Sequence, residues 1–208
     1  MIGLTGSIAM GKSTAAAMLR RMGLPVFDSD AAVHRLTAPG APALADINRL
    51  VPAAVRPGPD GQLALDRKAL GIAAFGDPRV LAALERILHP RVTALRRQWL
   101  AAQLRQRRSV VVADIPLLFE TGADRDCTAV WVVSAPTFLQ RQRALRRPGM
   151  TADKLAGALA RQWADRDKRR AADVVVPTGI GHHVTLRRLR RALRLLAGRP
   201  TGATADHA

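Results

Sequence analysis

Residues 2–14 read Ile-Gly-Leu-Thr-Gly-Ser-Ile-Ala-Met-Gly-Lys-Ser-Thr, and no other stretch limits the fold as strongly. The apolar run Ile2–Leu4 has the character of a short buried strand. Ala15–Met22 reads as a helix, with Met18, Leu19 and Met22 along one side. The loop between them is bounded by glycines. Gly6, Gly11, Lys12 and Ser13 satisfy G-x-x-x-x-G-K-[ST], a phosphate-binding loop, or P-loop. Glycine lets the backbone curl until successive N–H groups face one anion, and the helix N-terminus adds its positive end. The candidate nucleotide contacts are therefore Gly6, Ala9, Met10, Gly11, Lys12, Ser13 and Thr14. Lys12 has the reach for the β- and γ-phosphates, and the Ser13 hydroxyl suits Mg²⁺. The motif points to an α/β nucleotide-dependent phosphotransferase or hydrolase.

Four more apolar runs read as strands. Pro25-Val26-Phe27 ends in Asp28-Ser29-Asp30, and Ser109–Ala113 ends in Asp114. Ala129–Ser134 and Asp173–Pro177 complete the set. In parallel α/β sheets ligands gather beyond the carboxyl ends of strands, which places Asp28, Asp30 and Asp114 among the candidates for metal binding or proton transfer. Each aspartate has a second reading, as the cap of the helix or turn that follows. Asp114 stands at a Walker-B-like position and is the candidate metal residue beside Ser13.

Residues 31–108 contain no convincing strand and read as a helical insertion between strands 2 and 3. Thr37–Pro42 and Pro57–Gly61 are turns. Asp77-Pro78 opens a helix lined by Val80, Leu81, Leu84, Ile87 and Leu88; Pro90 is expected to interrupt it, and Val92, Leu95, Trp99 and Leu104 to continue as a second helix. After strand 4, Pro136 opens a helix carrying Arg141, Arg143, Arg146 and Arg147 up to Pro148-Gly149. Thr151 caps another, read through about Arg170 with Trp163 inside it. This arginine-rich pair suits a lid that covers a transferring phosphoryl group and expels water. Leu186, Leu189, Leu193 and Leu196 mark a last amphipathic helix, and the tail from Gly198 is expected to be disordered.

With 208 residues the chain can hold one α/β domain with insertions. The formal charge is +17, and Lys stands only at 12, 68, 154 and 168, so the excess is almost entirely Arg. Three readings remain for it: arginines on solvated helix faces, a polyanionic small substrate, or nucleic acid. The aromatic content of 3% and the absence of Tyr weigh against nucleic-acid stacking. No specific nucleic acid and no membrane partner are expected, since no apolar run approaches a span and no leader is read at Met1. Cys127 is the only cysteine, which suits a reducing cytoplasm. His182, His183 and His207 fit no metal spacing.

Taken in order, the motifs resemble the dephospho-CoA kinase family across roughly residues 1–197. The strings are Ile2–Gly6 into the P-loop, Asp28-Ser29-Asp30, Leu65-Asp66-Arg67, Phe75–Pro78, Leu88-His89-Pro90, Asp114–Glu120, Arg143–Thr151, and Arg161-Gln162 through Lys168-Arg169 to Asp173. The resemblance implies a three-layer core with a five-stranded parallel sheet, formed by residues 1–30 and 109–197. It implies a lid at about 137–168 and a helical CoA-binding insertion at 31–108. It also implies ATP and Mg²⁺, transfer to the ribose 3′-hydroxyl of dephospho-CoA, and a monomer or weak homo-oligomer. By position, Asp30 matches the general base, Lys12 the P-loop lysine, and Arg147, with Arg143 second, the lid arginine. His89-Pro90 matches the substrate pocket or a packing role. Another P-loop nucleoside or nucleotide kinase and a nucleic-acid-dependent NTPase are the alternatives. Ser7, the Ala9-Met10 pair, and Thr178 in place of Asn depart from the family pattern; the last leaves the adenine contact open.

Overall fold

The computed structural model describes residues 1–58 and 60–197; the expected tail disorder lies outside them. In chain order the elements are β1 (Ile2–Thr5), α1 (Lys12–Arg21), β2 (Val26–Asp28), α2 (Ser29–Leu36), α3 (Ala43–Leu50), β3 (Val55–Pro57), β4 (Leu63–Leu65), α4 (Arg67–Gly76) and α5 (Pro78–Arg105). They continue with β5 (Val112–Asp114), β6 (Ala129–Ser134), α6 (Thr137–Leu145), α7 (Ala152–Ala160), α8 (Asp165–Ala171), β7 (Val174–Pro177) and α9 (His182–Ala197). The chain divides into two compact units, Met1–Val26 with the chain from Val110 onward, and Phe27–Ser109.

The sheet has five strands in the order β2-β5-β1-β6-β7, of which β5, β1, β6 and β7 lie wholly in the first unit. β1 runs parallel to β5, with Leu4 opposite Asp114, and to β6, with Leu4 opposite Trp131; β6 runs parallel to β7. Period-2 alternation explains why β6 is apolar throughout. Trp131 and Val133 join a core with Leu4, Leu19 of α1 and Leu189 of α9. Val130 and Val132 join another with Ile115, Leu118 and Phe119. Both faces of the sheet are therefore dry. Leu186, Leu193 and Leu196 of α9 turn partly inward while Arg187, Arg190, Arg191 and Arg194 face solvent, as the leucine spacing predicts.

One expectation in this unit fails. The helix read from Thr151 to about Arg170 is two helices, α7 and α8, and Trp163 lies in the break between them. The Trp163 N–H donates to Glu120 Oε1 at 2.8 Å instead of to a carbonyl one turn back. A tertiary hydrogen bond here overrides local helix propensity.

The second unit has its own core, in which Leu44, Ile47, Leu70 and Leu88 are buried. It departs from the sequence reading twice. Pro90 does not end the helix: α5 runs unbroken from Pro78 to Arg105. Proline removes its own N–H and crowds the carbonyl four residues back, a local loss that packing along 28 residues outweighs. Arg91 ties the same turn down, its Nη1 donating to Ile87 O at 2.6 Å and its Nη2 pairing with Asp46 of α3. The second departure is the antiparallel pair β3–β4, with Val55 opposite Leu65. Three residues per strand leave too little alternation to read, although the Pro57–Gly61 turn that joins them was legible. Phe27 and Trp99 pack with ring centroids 5.6 Å apart.

Candidate active site

The loop after β1 is shaped by close packing. A Cβ at Gly6 would stand 2.4 Å from Val133 Cγ2 and 2.7 Å from its carbonyl oxygen, so only glycine fits. Gly11, at φ 88°, caps α1 in the left-handed region that favours glycine. Ala9 occupies the same region at φ 61°, where an L-residue is strained. Met10, the bulkiest departure in the loop, turns into the core and is only 2% exposed. Its sulfur accepts from Ala135 N–H at 3.1 Å, and its carbonyl accepts from Thr178 Oγ1 at 2.6 Å. The side chain is thus a peg under the loop, and Met10 N–H closes a turn on Ser7 O at 3.1 Å.

Lys12, the first residue of α1, forms an ion pair with Asp114, the last residue of β5. Their side chains are 15% and 6% exposed, so the pair is shielded from bulk water but still reachable. Parallel pairing of β1 and β5 sets Leu4 against Asp114 and brings these distant residues together. Ser13 is exposed in the first turn of α1, and Thr14 is half-buried behind it. Arg143 Nη2 donates to Thr178 O at 2.9 Å, which commits this guanidinium to the end of β7. Arg147, one turn on, is exposed.

In the second unit, Asp28 caps α2, its Oδ1 accepting from Ala31 N at 3.0 Å. The capping reading of Asp28 is therefore realised. Asp30 lies exposed in the first turn of α2 and makes no hydrogen bond or ion pair among the described residues. His89 and Pro90 line an open groove of about 800 Å³ with Arg79, Glu85 and Arg86. Arg67 of α4 donates to the ring of His34 in α2.

The residues that sequence reasoning missed form a connected set around the buried Lys168 in the first unit. Glu120 Oε1 accepts from Trp163 N, and Lys168 Nζ lies 2.8 Å from the same oxygen, off the line of a good hydrogen bond. Lys168 is fully buried. Phe119 and Trp163 stack at 5.2 Å, and Ser134 Oγ donates to Asp165 Oδ2 at 2.7 Å. Glu120 and Lys168 stood in the family-like strings, but nothing local said that they pair.

No group of three or more His, Cys, Asp or Glu side chains gathers among the described residues to form a metal cage. The donors present suit an ion of another kind. Mg²⁺ is commonly held by one or two protein oxygens together with substrate phosphates and water, and Ser13 with Asp114 beside the loop fits that pattern.

A strand, a glycine-bounded loop, a helix headed by lysine, and an acidic residue ending the neighbouring parallel strand define the class of P-loop nucleotide-binding proteins. The family model for dephospho-CoA kinase matches residues 1–180. A dephospho-CoA kinase of Rhodospirillum rubrum is 50% identical over 197 residues, covering 94% of this chain and 90% of its own. One of Paramagnetospirillum magneticum is 54% identical over 169 residues, covering 81% and 77%. Among solved structures, TT1252 from Thermus thermophilus superposes with TM-score 0.77 at 34% identity, covering 97% of each chain. Dephospho-CoA kinase from Campylobacter jejuni shares the fold at TM-score 0.68 and 22% identity, covering 94% of this chain and 96% of that one. The chain belongs to the dephospho-CoA kinase family.

Proposed function

We propose that this chain transfers the γ-phosphoryl group of ATP to the ribose 3′-hydroxyl of dephospho-CoA, giving coenzyme A. The observation that carries the reading is the Lys12–Asp114 pair at the mouth of the P-loop, in a chain matched along residues 1–180 by one kinase family. In-line phosphoryl transfer needs little covalent help; positioning and charge stabilisation supply most of the rate. The backbone N–H groups of the P-loop through Thr14 cradle the phosphates. Lys12 offsets negative charge on the β- and γ-phosphates. Asp30, exposed at the start of α2, accepts the proton of the attacking hydroxyl. Arg147, whose guanidinium faces solvent, supplies positive charge from the lid at 137–168, while Arg143 fastens that segment to Thr178. Ser13 and Asp114 are the residues that would hold Mg²⁺, which supplies further neutralisation of phosphate charge when bound.

The insertion at 31–108 is the substrate-binding part, and its Arg79–Arg86–His89 groove suits an anionic substrate. No helix among the described residues is long and apolar enough to cross a membrane. The single cysteine fits work in a reducing cytoplasm.

The deciding experiment follows ATP consumption with dephospho-CoA as acceptor and measures the mass of the product. One added phosphate on the ribose is expected. Faster transfer to nucleosides or nucleoside monophosphates, or hydrolysis stimulated by nucleic acid without any acceptor, would overturn the substrate assignment.

A further inference from the structure

The two legs of the lid meet the P-loop at a single residue, Ile8, one through its N–H and one through its carbonyl. Gln140, on α6 and 5% exposed, donates from Nε2 to Ile8 O at 3.0 Å. Gln162, in the break after α7, accepts at Oε1 from Ile8 N, also at 3.0 Å. Ile8 is thus gripped from both sides, by residues 132 and 154 positions away in sequence. Apolar packing reinforces the grip. Ala9 is buried with Ala144 of α6 and Leu155 of α7, and Ile8, Met150 and Leu159 pack against them.

Gln162 is itself held in place. The next residue, Trp163, donates its backbone N–H to Glu120, stacks on Phe119, and precedes the α8 helix whose Lys168 meets the same carboxylate. The segment carrying Gln162 is therefore anchored through its neighbour Trp163. An amide side chain suits both places, because one site needs an acceptor and the other a donor, and neither brings a net charge near a phosphate cradle.

We propose that Gln140 and Gln162 are positioning residues that couple the P-loop to the lid through the two peptide groups flanking Ile8. The strained Ala9 follows directly, so a shift at Ile8 propagates into the amides of Met10, Gly11 and Lys12. Nucleotide settling in the loop then fixes α6 and α7, and with them Arg143 and Arg147. The inference rests on ATP binding at the P-loop as proposed above, and not on the identity of the phosphoryl acceptor.

The test is hydrogen exchange of residues 137–163 with and without ATP and Mg²⁺, in the full chain and in Gln140→Met, Gln162→Met and the double variant. ATP affinity and thermal midpoint are measured in parallel. ATP is expected to slow exchange in this segment of the unaltered protein, and each single variant to lose most of that slowing. Because both residues act on one residue, Ile8, holding the peptide groups on its two sides, the double variant should be little worse than either single. Turnover should fall about tenfold or more, as misplacement at a reacting centre does, with the KM for the acceptor unchanged.

A matched pair separates positioning from bulk stability. Gln162→Glu keeps an acceptor for Ile8 N–H, whereas Gln140→Glu has nothing to donate to Ile8 O. Both add the same charge, and only Gln162→Glu should retain the ATP response. Three outcomes would overturn the coupling: an ATP response intact in both Met variants, additive losses, or a lowered midpoint with turnover unchanged. If dephospho-CoA were not phosphorylated but the exchange response held, the acceptor assignment would fail and the coupling would stand.

Discussion

Lys12 and Ala9 show how differently two residues of one loop are constrained. Lys12 is constrained by charge. Its partner Asp114 is nearly buried, so the pair is electrostatically strong and the ammonium is held at the place where a phosphate must be neutralised. Lys12→Ala is expected to lower turnover by about 10²–10³-fold, the range seen when one preorganised charge-stabilising donor is removed, with folding retained; steady-state kinetics beside circular dichroism check this. Asp30→Asn should keep ATP binding and lose turnover, measured by equilibrium titration and the same assay. Ala9 is constrained by backbone. At φ 61° a β-branched side chain is a steric outlier, and here it would also press on Ala144 and Leu155. Ala9→Val is expected to destabilise by about 2 kcal/mol or more, read as a thermal midpoint lowered by several degrees.

At the scale of elements, caps and breaks decide where helices begin and whether they continue. Asp66 caps α4, its Oδ1 accepting from Ala69 N at 2.9 Å. That backbone hydrogen bond, above all other influences, lowers the Asp66 pKa below the ordinary aspartate value. A carboxyl group depressed in the folded state stabilises it fully above the unfolded pKa, and that contribution is lost as pH falls through the folded pKa. Stability measured on the acid side of the ordinary aspartate range should therefore fall with pH, and Asp66→Asn should flatten that part of the profile. Pro90 lies inside α5 where a proline costs a helix about 3 kcal/mol relative to Ala. Pro90→Ala is expected to raise the thermal midpoint; if the Pro90 turn shapes the groove beside His89, the KM for dephospho-CoA should rise at the same time. An unchanged KM would limit Pro90 to a packing role.

At the scale of the whole molecule, the buried pair Glu120–Lys168 ties the segment after β5 to α8. Removing one partner of a buried pair leaves the other uncompensated, so Lys168→Met is expected to cost about 3–5 kcal/mol. Glu120→Gln with Lys168→Met should recover much of that loss, which a double-mutant cycle by chemical denaturation would show. The arginine excess has a mixed fate: Arg187, Arg190, Arg191 and Arg194 lie on the exposed face of α9, whereas Arg91, Arg143 and Arg188 each bond a specific main-chain carbonyl. Composition could not separate these roles, because a helix face and a tertiary hydrogen bond look alike in a count of arginines.

The sequence by itself determined the strand–loop–helix beginning, the five apolar strands and the aspartates that end two of them, Asp28 and Asp114. Those follow from local rules: glycine at the tight turn, apolar runs for strands buried on both faces, and acidic residues past the last apolar position. Tertiary structure alone decided three other things: that Pro90 leaves α5 whole, that Trp163 breaks the helix read through it, and that Gln140 and Gln162 close on Ile8. In each of these the outcome depends on a partner far away in the chain, and a local pattern carries no information about a partner that only folding brings within hydrogen-bond reach.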